Sequence, residues 1–207
     1  MSLLKNSRLN GVLLDITGVL KDGGSAIPGS VEAVKKLRDA GLVIRLVTNE
    51  TQITRRSMAS SLHSLGHTLL VHPDVLPEFE GIDQSNPNCV VIGDAAEIFT
   101  YENLNEACVY NCTLEYAADV KAEVIGKPQA EFFRSALDDM GMKADEAVMV
   151  GDDLVSDVGG AQRCGLTGVL VRTGKYRPVD EMHPTVHPDA IANDLAQAVD
   201  IILESRK

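Results

Sequence analysis

Short apolar runs separated by helical patterns dominate both ends of the chain. Residues 11–14 (GVLL) are uniformly apolar and stop at Asp15, the pattern of a strand buried on both faces. Pro28-Gly29 marks a turn. Ser30 is placed to cap a helix reaching Ala40, with Val31, Val34 and Leu37 on one face and Gly41 as its stop. Residues 42–47 read as a second strand ending at Thr48-Asn49, and a helix is expected over 51–65. From 66 to 120 the pattern weakens, punctuated by His72-Pro73 and Asn86-Pro87, with 89–92 (CVVI) as its one clear strand. Regularity returns from 121. Strands are expected at 123–125, 147–150 and 168–171, and helices at 130–140, from Asp153 to Cys164, and at 193–204.

Strands alternating with helices predict an α/β fold, a parallel sheet covered by helices on both faces. The polar residues fall at informative places. Asp15, Thr48 and Asp152 each follow the C-terminal end of an apolar strand, and Lys127 follows 123–125. In a parallel sheet those ends share one edge, outside which ligands bind. Asp15, Asp152 and Asp153 are hard oxygen donors suited to Mg²⁺. Lys127 supplies a point charge for phosphate. Thr48 and Asn49, before a predicted helix, are suited to cradle a phosphoryl group. A carboxylate in that setting can act as a nucleophile and form an aspartyl-phosphate. For Asp153 and Asp157, a helix cap or a surface charge fits as well as a place in the site.

Composition narrows the partners. The 207 residues carry a formal charge of −11, with 19 Lys and Arg against 30 Asp and Glu. Such a chain is poorly suited to nucleic-acid backbones. No apolar run is long enough to span a membrane. Cys89, Cys108, Cys112 and Cys164 lack zinc-ligand spacing and read as reduced thiols of a cytosolic protein. His63 and His67 stand at a spacing that permits a shared metal on a helix, but no third ligand accompanies them. Lys175 fits a loop after the last core strand at least as well as a positive charge near the sheet edge, and Gly159-Gly160 reads as a close approach of helix and strand.

Residues 15–19 (DITGV), Thr48-Asn49, Lys127 and Gly151-Asp152-Asp153 resemble, in that order, the four motifs of the haloacid dehalogenase superfamily. Within it, residues 14–20 (LDITGVL), 83–91 (DQSNPNCVV), 126–128 and 151–165 (GDDLVSDVGGAQRCG) resemble the branch that hydrolyses phospholysine, phosphohistidine and inorganic pyrophosphate. The resemblance implies a Rossmann-like core at 1–65 and 121–207 with an inserted α/β cap at 66–120. It also implies Mg²⁺ and a dimer in the cytoplasm and nucleus. By motif, Asp15 is nucleophile and metal ligand, Asp152 a metal ligand, and Thr17 a ligand through its backbone carbonyl. Thr48, Asn49 and Lys127 hold the phosphoryl group of a phosphorylated small molecule or phosphoprotein.

Two departures matter. Most phosphatases of the superfamily carry a second Asp two residues after the nucleophile as general acid and base, where this chain has Thr17. That assistance is worth about 10²–10⁴-fold, and its loss is felt most with a poor leaving group. An imidazole, whose conjugate acid titrates near ~6.5, or a phosphate, near ~6, departs with little help. An alkoxide, comparable to the conjugate base of water at ~15.7, does not. Phosphorus–nitrogen and phosphoanhydride bonds are therefore expected over alkyl esters. The second departure is length: 66–120 is short for the cap the resemblance implies, small for an independent core. Two other readings stand beside this one: a catalytically weak regulatory or binding protein, which the short cap favours, and a small-metabolite phosphomonoesterase on the same scaffold, which Thr17 argues against.

Overall fold

The computed structural model of the chain describes residues 4, 6–22, 25–49 and 126–206, together with the backbone of 67–70 and 89–92. The chain divides into two compact units, one of residues 1–48 and 125–207 and one of residues 49–124.

The first unit is built on a parallel five-stranded sheet. Its strands are β1 (Gly11–Leu14), β4 (Val43–Leu46), β7 (Ala147–Gly151), β8 (Thr167–Val171) and β9 (Ala190–Ala192), in the order β4-β1-β7-β8-β9. A small antiparallel pair, β2 (Lys21–Asp22) and β3 (Ser25–Ala26), lies apart from it. β1 pairs with both β4 and β7, Leu14 lying opposite Leu46 on one side and Val150 on the other. Every residue of β1 and β7 is buried, as a strand covered on both faces requires.

Alternation sorts these side chains onto two faces. Val12, Leu14, Val148, Val150, Val169 and Val171 pack on one face with α1 (Ser30–Asp39) and the C-terminal helix (Leu195–Ser205). Leu13, Ala147 and Met149 pack on the other with Phe133 and Leu137 of α2 (Ala130–Met140). Burying so many aliphatic side chains, at roughly 1.5–3 kcal/mol each, holds the central strands in place.

Several local expectations need correction. α1 is capped by Gly29, at φ 81°, and not by Ser30, which is the first helical residue. The Ser30 hydroxyl instead donates to the Leu20 carbonyl at 3.1 Å. The buried stripe of α1 is Ser30, Ala33 and Leu37, so Val31 faces solvent at 67% exposure. The helix expected to run to Cys164 begins as a widened π-helical stretch, Leu154–Gly159, before α3 (Gly160–Arg163). Gly160 approaches the Phe133 ring of α2, where a Cβ would come within 2.6 Å, so the close contact is helix against helix. The C-terminal helix is α4, with Asp194 accepting from the Gln197 amide at 2.8 Å as its cap.

In the second unit, β5 (His67–Leu70) and β6 (Cys89–Ile92) form a parallel pair with His67 opposite Cys89. His67 thus begins a strand and is not on a helix with His63. The helix expected over 51–65 and the strand over 123–125 lie outside the described residues. Cys164 is a free, half-buried thiol. Among the described residues no helix is long and apolar enough to cross a membrane.

Candidate active site

The chain leaves β1 at Asp15, whose amide still donates to the Val150 carbonyl of β7 at 3.0 Å. That bond fixes Asp15 at the C-terminal edge of the sheet. One strand away, β7 ends at Gly151 and delivers Asp152 to the same edge. On the other side, the Val47 amide donates to the Leu14 carbonyl at 2.8 Å, which brings Thr48 there as well. Lys127 enters from the loop before α2. Its ammonium lies 2.8 Å from Asp15 Oδ1 and 2.7 Å from Asp157 Oδ1, and donates to the Val47 carbonyl at 3.4 Å. Asp15, Lys127, Asp152 and Asp157 are all buried.

Asp157 was one of two carboxylates the sequence left open between cap and site, and the structure separates them. Asp153 caps the π-helical stretch, its Oδ1 accepting from the Val155 and Ser156 amides at 3.1 and 2.9 Å. Asp157 lies one turn in. Helical side chains lean toward the N-terminus, so its carboxylate reaches back to accept from the Asp153 amide at 3.1 Å and to meet Lys127. A Cβ on Gly151 would fall 2.2 Å from Asp157 Oδ2, so only glycine leaves room there. The signal in the sequence was an acid one turn into the helix that follows the strand end.

Asp15, Asp152 and Lys127 are thus brought to one sheet edge, with Thr48 beside them. Thr17, half-buried, sits in the turn after Asp15, in a bridge with Lys21. Asn49 is exposed and opens the second unit.

Burial decides the electrostatics. It pushes the Asp157 carboxyl up to about 6, against the opposing attraction of Lys127, and the Asp15 charge pushes the same way. Burial likewise raises Asp152, aided by Asp15 and opposed by the hydrogen bond from the Lys175 amide. For Lys127, burial disfavours the ammonium, but Asp157 and Asp15 outweigh it and hold its pKa above the ordinary lysine value.

The donor set suits a hard divalent cation. Asp15, Asp152 and Asp157 each offer a carboxylate oxygen within 4.8 Å of the others. Among the described residues Lys127 is the one buried cation beside these three buried carboxylates, with the exposed Lys175 also attracting Asp152. Asp152 Oδ2 accepts from the Lys175 amide at 2.7 Å, whereas Oδ1 is buried with no hydrogen-bond partner among the described residues. A buried orphan oxygen costs about 1–3 kcal/mol or more, a cost that coordination to Mg²⁺ would remove.

Comparison with known proteins agrees with this geometry. A haloacid dehalogenase-like hydrolase family model matches residues 12–76, and a second, described as HAD-hydrolase-like, matches 124–198. The phospholysine phosphohistidine inorganic pyrophosphate phosphatase of Danio rerio is 47% identical, with 96% of each chain covered. The Homo sapiens protein of that name is 43% identical, with 95% of each covered. The alignment with the Danio rerio protein extends over 258 positions, more than the 207 residues of this chain, so the relative carries residues that this chain lacks. Among solved structures, a 4-nitrophenylphosphatase from Thermotoga maritima has a similar fold, with a TM-score of 0.79 and 21% identity over 94% of this chain and 97% of that one. NagD from Escherichia coli K-12 gives 0.78 and 21%, over 91% and 98%. With a carboxylate at a strand end, a lysine and paired acids in the family's order, and relatives this similar over nearly their whole length, the chain belongs to the haloacid dehalogenase-like hydrolases.

Proposed function

We propose that this hydrolase is a Mg²⁺-dependent phosphatase that works through Asp15 on phosphorus–nitrogen bonds, as in phosphohistidine and phospholysine, and on inorganic pyrophosphate. The observation that carries the reading is the buried cluster itself: Asp15 paired with Lys127, in reach of an Asp152 whose Oδ1 has no hydrogen-bond partner. The relatives' names supply the substrates.

Asp15, Asp152 and the Thr17 carbonyl would hold Mg²⁺, which when bound supplies neutralising charge for the phosphoryl oxygens. An Asp15 carboxylate oxygen bonds to phosphorus as the bond to the leaving nitrogen or phosphate oxygen breaks, and the leaving group takes the electron pair. Water then attacks the phosphorus, regenerates the carboxylate and releases inorganic phosphate. Lys127 keeps Asp15 in place and offers its charge to the phosphoryl group, with Thr48 and Asn49 assigned to the same group by motif. Thr17 cannot transfer a proton as a carboxylate does, so the favoured leaving groups are phosphate, imidazole and a lysine nitrogen that is protonated before the bond breaks.

In this reading residues 66–120 form a shortened cap within a core of 1–65 and 121–207. The substrate is a phosphorylated small molecule or phosphoprotein, and the protein is a homodimer of cytoplasm and nucleus. The length difference from the relatives favours one other reading, a regulatory or binding protein that keeps the core but turns over weakly.

The test is phosphate release from pyrophosphate and from phosphohistidine, with and without Mg²⁺, beside Asp15→Asn and with an alkyl phosphomonoester for comparison. Metal-dependent turnover lost in the variant, and a preference over the ester, is the expected result. A folded core that releases no phosphate from any substrate selects the binding protein. An ester preference selects a phosphomonoesterase.

A further inference from the structure

The loop after β8 crosses the metal-ligand candidates in a way that the four motifs do not account for. The Thr173 hydroxyl donates to the Gly18 carbonyl, one peptide beyond the Thr17 carbonyl. Two residues on, the Lys175 amide donates to Asp152 Oδ2 at 2.7 Å. Between them Gly174, at φ +56°, fits against both partners: a Cβ there would come within 2.0 Å of Asp152 Oδ2 and 2.6 Å of the Gly18 Cα. Gly18, at φ +84°, closes the carboxylate from the other side, where a Cβ would also meet Asp152 Oδ2 at 2.0 Å. Asp152 therefore sits in a cradle of two glycines from loops far apart in the chain. One of its oxygens is tied and the other has no partner.

The loop is itself anchored. Tyr176 and Val186 pack against Leu154, Val158 and Leu170 beneath it. Arg172 bonds Glu181 at 2.8 Å and Asn193 at 3.0 Å, and the Tyr176 hydroxyl donates to Glu181 at 2.7 Å.

We propose that residues 173–175 are a positioning clamp for the cation: Thr173 fixes the Gly18 carbonyl, in the turn that carries the Thr17 carbonyl, and the Lys175 amide, with Gly174, turns Asp152 so that Oδ1 faces the ligand position. The inference rests on the reading that the acidic cluster binds a divalent cation. Groups that orient metal ligands typically govern affinity by 10–100-fold. Thr173 is accordingly a positioning residue whose effect is exerted through the Gly18 peptide.

The experiment is a Mg²⁺ titration of the full chain, followed by isothermal titration calorimetry and by the rise in melting temperature. It compares the unmodified protein with Thr173→Val, Thr173→Ser, Gly174→Ala and Asp152→Asn. Thr173→Val keeps the shape and removes the donor, so it should weaken Mg²⁺ binding by about tenfold or more. Thr173→Ser should restore it. Gly174→Ala should weaken binding at least as much, and serves if Thr173→Val does not fold. A Thr173→Val protein that binds Mg²⁺ as tightly as the unmodified one overturns the clamp alone. An unmodified protein that takes up no Mg²⁺, like Asp152→Asn, overturns the cation reading and the clamp with it.

Discussion

Asp157 reaches back one helical turn and places its Oδ1 2.7 Å from Lys127 Nζ, with 1% and 3% of the two side chains exposed. Lys127 also faces Asp15 at 2.8 Å, so one ammonium compensates two buried carboxylates. Breaking a buried pair by removing one partner costs about 3–5 kcal/mol because the other charge is stranded. Lys127→Met should therefore lower stability by that order and abolish phosphate release. Urea unfolding is the check, and a loss below about 1 kcal/mol, the upper range for exposed pairs, would show that the lysine matters to chemistry alone.

Asp152 gives the opposite expectation. Its charge is held in a buried place, and one oxygen has no partner. Asp152→Asn keeps the shape and removes the charge, so the metal-free protein should melt higher than the unmodified one. The same variant should lose the stabilisation that added Mg²⁺ confers. Melting curves with chelator and with Mg²⁺ read both effects. A metal-free variant that melts lower would mean that the carboxylate is already well satisfied.

The pH dependence follows from Asp157. Its carboxyl titrates near about 6 in the folded protein against 3.8 for the free side chain, chiefly through burial. Between those values the folded state binds more protons than the unfolded state. The contribution of this group is fully present below pH 3.8 and is lost as pH rises through about 6. Ordinary carboxylates held low by partners, such as Glu181 beside Arg172, work in the other direction. The useful measurement is thus a difference: stability of the unmodified protein minus that of Asp157→Asn, in chelator, across this window. The difference should fall with rising pH, and a flat or rising curve would contradict the assignment.

Gly151→Ala tests the packing of the same carboxylate. The added methyl would lie 2.2 Å from Asp157 Oδ2 and 2.3 Å from its Cβ, too near the helix backbone for a rotamer change to relieve. Overpacking of this kind costs about 1–3 kcal/mol. Turnover should fall together with stability, because Asp157 can no longer meet Lys127 squarely. A variant that retains full turnover and stability would show that the helix shifts freely.

The central strands were legible because both faces of β1 and β7 are buried and an unbroken apolar run ends at a polar residue. The same abrupt endings located Asp15 and Asp152. β9 was missed because Ala190–Ala192 is three residues long and follows Pro188-Asp189, which reads as loop. β2 and β3 carry Lys, Asp and Ser and so have no apolar pattern to find. Val31 was misplaced because helical spacing identifies a stripe of hydrophobes, whereas burial follows the side that meets the sheet. Asp157 was half legible: spacing gave its position on the helix, but its pairing with Lys127 depends on the backward lean of the side chain in three dimensions.

The ion pairs and hydrogen bonds described for the charged cluster stay within 1–48 and 125–207: Lys127 reaches Asp15 and Val47 across the two stretches, while Lys127–Asp157 and Lys175–Asp152 lie within the second. They are carried by two separate stretches of chain, stitched together by neighbouring strands of one sheet. Insertions and deletions between 49 and 124 consequently leave those donors and acceptors untouched, and the alignment with the Danio rerio relative already contains a difference in length. A change of length inside 49–124 thus alters one unit, while the paired atoms of the cluster keep their partners in the other.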